Sequence, residues 1–311
     1  MYWASSCGGC EVSVANLHEK ILEVDRNFDF MFCPCLMDTK EREIEALPDG
    51  AIALTFFNGA IRTDENEHMA HLLRRKTQTL VAFGSCARGG CIPALSNLHT
   101  RAEHLQAVYH ADPTAESPNG VEPRPVTCVP EGELRLPVFH DRVRALAQVV
   151  DVDYFIPGCP PESHQIWAVV KTVIEGGPLP PKGSVLGAGE STVCRECRRR
   201  KDDKRVARFY RTWEIQPDSE RCLLEQGIVC MGVATRDGCG ALCPQVNMPC
   251  IGCYGPPEGV LDQGARMVAA LGSVLDLESD DALRSLEHAV PDMAGTFYRF
   301  SLADSILGGR R

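Results

Sequence analysis

With 311 residues, 44% of them hydrophobic and 24% charged, the chain is long enough for a full core and more than one unit, and its composition excludes a disordered or fibrous protein. A formal charge of −10 argues against a nucleic-acid partner, because phosphate recognition rests on clustered positive charge. No apolar run approaches the roughly 18 residues of a bilayer-crossing helix, and no secretory or twin-arginine pattern opens the sequence, so no membrane span and a cytoplasmic location are expected.

In chain order, residues 1–180 alternate between strand and helix patterns. Tyr2-Trp3-Ala4 reads as the end of a short first strand, and Glu11 to Val24 carries apolar positions near helical spacing. Phe28 to Phe32 reads as a second strand, followed by a helix from Asp38, which can cap it, to Leu47. Further strands are expected over Ala51–Phe57, Thr79–Phe83 and Asp153–Ile156, with helices over Asp64–Lys76 and Ser163–Glu175. Single helices between strands predict a doubly wound parallel sheet, in which ligands gather outside the carboxyl ends of the strands. A helix from Ile92 to about Tyr109 and a proline-rich loop or hairpin over Asp112–Pro137 interrupt the alternation.

Pro178-Leu179-Pro180-Pro181 reads as a linker, giving three expected parts. These are an α/β domain over 1–180, a cysteine-rich unit over 181–258 and a cysteine-free helical tail over 259–311, with helices at Gly264–Leu275 and near Asp281–Ala289. The basic run Arg198 to Arg211 reads as a solvated helix face, with an acidic docking partner as the minority alternative.

Sixteen cysteines in a chain expected to be cytoplasmic point to metal or redox chemistry, since disulfides are disfavoured in reducing compartments. Eight lie between Cys7 and Cys159, and eight crowd into the stretch Cys194 to Cys253. Cys7-Gly8-Gly9-Cys10, Cys86 and Cys159 all follow strands directly, so the fold would gather them at one sheet edge, where four thiolates suit a 4Fe-4S cubane. The alternative, a thioredoxin-like pair beside two buried free cysteines, leaves Cys86 and Cys159 without a task.

Cys194, Cys197, Cys222, Cys230, Cys239, Cys243, Cys250 and Cys253 are what two further cubanes require, with their partition left open. The Cys239-x3-Cys243-Pro244 element resembles bacterial two-cluster ferredoxins, whereas the uneven gaps fit zinc knuckles poorly. Cys33, Cys35, Cys91 and Cys128 are read as spare small hydrophobes. Glu11, next to Cys10, is a candidate proton-transfer carboxylate, weighed evenly against a glutamate that merely suits a helix start. Glu162 is a weaker candidate of the same kind. Walker and dinucleotide-binding glycine motifs are lacking.

The combination Ser6-Cys7-Gly8-Gly9-Cys10-Glu11, Gly84-Ser85-Cys86 and Pro157-Gly158-Cys159-Pro160-Pro161 resembles the small subunit of NiFe hydrogenases. Phe57-Asn58-Gly59, Glu67-His68-Met69, Cys222-Leu223-Leu224-Glu225-Gln226-Gly227 and Asn247-Met248-Pro249-Cys250 resemble the cytoplasmic, methyl-viologen-reducing (non-deazaflavin-reducing) gamma branch. The resemblance implies a flavodoxin-like domain followed by a small ferredoxin-like iron–sulfur domain. It implies three 4Fe-4S clusters: a proximal one on Cys7, Cys10, Cys86 and Cys159, and medial and distal ones on the later eight cysteines. It further implies a large subunit carrying nickel and iron, with a 2Fe-2S delta-type subunit and heterodisulfide reductase as electron acceptors, and it sets Glu11 on a proton route. Rivals are a deazaflavin- or NAD(P)-linked hydrogenase small subunit, the cluster-bearing subunit of respiratory complex I, and a zinc- or cluster-stabilised scaffold. The complex I subunit has adjacent cysteines in its first motif and lacks the later eight.

Overall fold

The structure is a computed structural model describing residues 1–116, 120–202, 205–276 and 278–309. The strands in chain order are β1 (Tyr2–Trp3), β2 (Ile52–Asn58), β3 (Ile61–Thr63), β4 (Thr77–Phe83), β5 (Val126–Val129), β6 (Gly132–Arg135), β7 (Phe139–Arg144) and β8 (Tyr154–Ile156). Four of them, β1, β2, β4 and β8, pair in that spatial order as one parallel sheet.

Side-chain alternation along β4 shows why both faces must be covered. Leu80 and Ala82 enter one core with Ile44, Met69, Leu72 and Leu73, while Val81 and Phe83 enter another with Leu17, Val24, Ile166 and Val170. The first core seats α3 (Glu41–Glu45) and α4 (Asp64–Lys76); the second seats α1 (Gly9–Ala15), α2 (Ile21–Asn27) and α7 (Ser163–Ile174). Phe57, Phe83 and Leu80 are fully buried, and each such side chain contributes about 1.5–3 kcal/mol. The doubly wound α/β reading holds, with α5 (Gly84–Gly89) springing directly from β4 and α6 (Arg101–Gln106) beyond it.

Several expected elements differ, among them the helix from Ile92 to about Tyr109, which is interrupted at His99. The helix expected over Glu11–Val24 is broken between α1 and α2, where His18 takes a left-handed φ of 53°. Val12 and Leu22, two of the apolar positions near helical spacing, face solvent, so the stretch carries two short apolar stripes rather than one. Phe28–Phe32 is not a strand. It runs beside β1, whose two residues give too few backbone partners for a ladder. The Met1 ammonium donates to Phe32 O at 2.6 Å, and the Tyr2 and Phe32 rings stack at 6.1 Å.

The expected loop or hairpin over 112–137, of which 117–119 lie outside the described residues, contains the antiparallel pair β5–β6; β7 turns back onto β3. Beyond residue 190, α8 (Val193–Glu196) and α9 (Leu242–Gln245) punctuate irregular loops, followed by α10 (Gln263–Val274), α11 (Asp280–Ala289) and α12 (Met293–Phe297). Val193, Phe209, Met231 and Cys250 share one core with Met267, Leu271, Leu286 and Phe297, so the tail helices close over the cysteine-rich loops. Phe300, Leu302 and Ala303 reach back to pack with Cys86 and Cys91.

The basic run is not a helix in its described part; positions 203 and 204 lie outside it. Arg199 is buried and donates to Pro244 O, Asp218 O, Arg221 O and Asn247 Oδ1, stitching loops together from within. Buried polar groups of this kind are kept by full hydrogen bonding.

Candidate functional site

The ends of the parallel strands bring the early cysteines together. Cys10 lies in the first turn of α1, Cys86 in the first turn of α5, and Cys159 three residues beyond β8. Burial raises the Cys10 thiol pKa, and the neighbouring sulfurs of Cys86, Cys159 and Cys7 raise it further along with the Glu11 carboxylate. Cys7 is exposed, as are Trp3 and Val12 nearby in the sequence.

The loops presenting these thiols are cross-tied. Ser85 N donates to Gly158 O at 2.8 Å and Gly158 N to Ser85 Oγ at 3.3 Å. Ser13 Oγ donates to Pro161 O, and the Cys159–Pro160 peptide is cis. The Glu11 carboxylate is held at the end of β2, where Asn58 Nδ2 donates to both of its oxygens at 2.8 Å and to Ser6 Oγ at 2.9 Å. Glu162 occupies the N-cap position of α7 without a capping side-chain hydrogen bond, and among the described contacts its side chain makes none with the four thiols.

A fifth sulfur stands in the same group. Cys91, read from the sequence as spare, is buried with Sγ 3.9 Å from Cys159 Sγ and packs in one cluster with Cys86. The hydrogen bond from Cys91 is the main cause that lowers the Cys159 thiol to about 7. Sequence reasoning missed Cys91 because it sits five residues after Cys86 in no recognised ligand spacing. Asn58 was quoted in a motif without a role; its place directly at a strand end was the available signal.

The later eight cysteines separate into two groups, which their spacing left open. Cys194, Cys197, Cys222 and Cys230 line one small enclosed cavity with Val193, Gly232 and Pro244. Burial raises Cys194, and it raises Cys230 to about 12 against the backbone N–H groups of Gly232 and Cys250. Cys239, Cys243 and Cys253 form the other group: burial raises Cys253 to about 12, helped by the charges of Cys239, Cys243 and Cys159. Cys250 stands between the two groups, pushed well up by burial, then by Cys230 and after it by Cys253.

This second group touches both of the others. Ser85 Oγ donates to Cys253 O, joining it to the strand-end thiols, and Cys250 N donates to Cys230 Sγ at 3.3 Å, joining it to the far group. Tyr254, fully buried, donates to Gln165 Oε1 at 3.0 Å and fixes the group against α7. Cys33 and Cys35 pair at 3.4 Å elsewhere, and Cys128 is exposed on β5. Each group is all sulfur and largely desolvated. Such a set repels itself once ionised and is satisfied by a soft metal centre, zinc or iron–sulfur, whose binding releases the protons.

The sequence profile of the family described as NADH ubiquinone oxidoreductase, 20 Kd subunit, matches residues 7–173, which span the strand-end thiols. Similarity to the F420-non-reducing hydrogenase iron-sulfur subunit of Archaeoglobus profundus reaches 39% identity, covering 97% of this chain and 94% of that protein. The chain belongs to the family of F420-non-reducing hydrogenase iron–sulfur subunits. The corresponding F420-non-reducing hydrogenase protein of Methanothermobacter marburgensis is 36% identical, with 98% of this chain and 94% of that protein covered. The recombinant [NiFeSe] hydrogenase of Desulfovibrio vulgaris Hildenborough in its oxidized state matches in fold, with a TM-score of 0.50 at 19% identity, covering 82% of this chain and 92% of that one. As a member of that family, the chain is a subunit of a hydrogenase, an oxidoreductase. No helix among the described residues is long and apolar enough to cross a membrane.

Proposed function

We propose that this hydrogenase small subunit is the electron-transfer arm of a cytoplasmic NiFe enzyme, passing electrons from H2 oxidation through three 4Fe-4S clusters. Cys7, Cys10, Cys86 and Cys159 hold the proximal one. Cys239, Cys243, Cys250 and Cys253 hold the medial one, and Cys194, Cys197, Cys222 and Cys230 the distal one. When bound, the clusters supply one-electron carriers at three successive stations.

The observation that carries this reading is the unbroken succession of thiol groups. Cys159 neighbours Cys253, and Cys250 neighbours Cys230, so the medial group shares a contact with each side. A zinc scaffold has no need for a connected row. Exposed Cys7, Trp3 and Val12 fit the rim that a large subunit covers, and Glu11, steadied by Asn58, is the carboxylate for proton transfer at that rim. At the distal end the acceptors are a 2Fe-2S delta-type subunit and heterodisulfide reductase subunits.

The test is anaerobic purification of the complex with metal and acid-labile sulfide analysis. The expected result is a brown protein with about 12 iron and about 12 sulfide for each copy of this chain, over and above what the partner subunits carry. A colourless sample carrying zinc rejects the reading.

A further inference from the structure

We infer that the Cys91 thiol is a hydrogen-bond donor to the proximal ligand sulfur of Cys159 and sets the reduction potential of that site. The inference rests on the proximal reading of Cys7, Cys10, Cys86 and Cys159. It goes beyond it by assigning a task to a fifth sulfur that no cubane vertex requires.

Three observations carry it. Cys91 is 1% exposed and its Sγ lies 3.9 Å from Cys159 Sγ, within the reach of an S–H···S bond, and Cys86 packs in the same buried cluster. Its backbone takes φ 49° and ψ −147°, a region that favours glycine and costs a side-chain-bearing residue. A cysteine is therefore held where glycine would sit without strain, and its side chain is the gain.

The turn is also fixed from behind. A Cβ on Gly89 would meet Phe300 O at 2.8 Å, and one on Gly90 would meet Ala94 Cβ at 2.5 Å and Ala303 Cβ at 2.7 Å. The C-terminal segment therefore clamps the Gly89-Gly90-Cys91 turn. Thiolates ligating a cluster carry more negative charge in the reduced state. A donor to them therefore stabilises that state and raises the potential.

The experiment compares the purified complex with its Cys91→Gly and Cys91→Ser forms by iron analysis and EPR-monitored redox titration. Cys91→Gly suits the backbone and is expected to keep the full iron content. Its proximal potential should fall by about 59 mV, equivalent to a tenfold weaker hold on one electron. Cys91→Ser keeps an O–H donor and should leave the potential near that of the unmodified complex. An unchanged potential in Cys91→Gly at full iron content overturns the inference and leaves the cluster reading intact. Loss of about four iron in Cys91→Gly also overturns it, by making Cys91 a ligand. Absence of any proximal signal in the unmodified complex overturns both readings together.

Discussion

Gly84 joins the last residue of β4 to the first turn of α5, which carries Ser85 and Cys86, and its φ is 82°. A Cβ built there would lie 2.4 Å from Cys10 Sγ, below any tolerable contact. Backbone at this point therefore takes the space a side chain would need, which lets α1 and α5 present their sulfurs to one centre. Gly84→Ala is expected to fold, because the sheet cores lie on either side of it, but to displace Cys10. The prediction is loss of about four iron per chain with about eight retained by the later groups, read by metal analysis of the purified complex. Full iron content in Gly84→Ala would show that Cys10 has more room than this geometry gives it. The sequence displayed the four thiols as strand-end residues, yet this glycine's role depends on how closely two helix starts approach, which spacing does not encode. The same holds for Cys91, whose meaning lies in a 3.9 Å contact across 68 positions of chain.

At the scale of elements, β8 is anchored by a buried carboxylate. Asp153 accepts from Arg74 Nη1 at 2.7 Å, from Lys182 Nζ at 2.6 Å and from Leu80 N at 2.8 Å, so it ties the end of α4, β4 and the linker to the strand that leads to Cys159. Burial alone would raise its pKa; the hydrogen bonds from Arg74, Lys182 and Leu80 outweigh that and hold it below the ordinary 3.8. A depressed folded-state pKa contributes stability that is present above the unfolded value near 3.8 and is lost as pH falls through the folded one. Asp153→Asn is expected to cost about 3–5 kcal/mol near neutrality, a large share of the roughly 5–15 kcal/mol that holds a domain folded. The gap from the unmodified chain should narrow below pH 4, where the native carboxyl takes up its proton. Urea unfolding across a pH series checks this, and a gap that stays constant down to strongly acid pH would sink the assignment. The β4 and β8 patterns were legible because a strand buried on both faces is a nearly continuous apolar run. Phe28–Phe32 has the same composition but failed as a strand, because its ladder depends on backbone groups of β1 that composition does not reveal.

For the whole molecule, the decisive feature is the order of the three thiol groups. Spacing along the chain could not give it, since the middle group comes from the later residues Cys239 to Cys253 and the far group from the earlier Cys194 to Cys230. The chain leaves the α/β domain, passes to the far group first and returns, so sequence order and spatial order are reversed. Tail helices α10 to α12 then seal the loops, and Ser85, Tyr254 and the contacts of Phe300 with Cys86 and Cys91 lock the two halves together. If electrons leave by this row, removing a middle ligand must separate the chemistry at the large subunit from delivery to the acceptor. Cys239→Ala is expected to lower iron by about four of about twelve per chain. Exchange of H2 with D2O, which needs no external electron acceptor, should persist in the complex, while H2-dependent reduction of the acceptor protein falls to background. A stability defect would lower both activities in parallel. Acceptor reduction that survives with the middle station empty would mean that electrons exit beside Cys7 and Cys159, and the far thiols would then need another purpose.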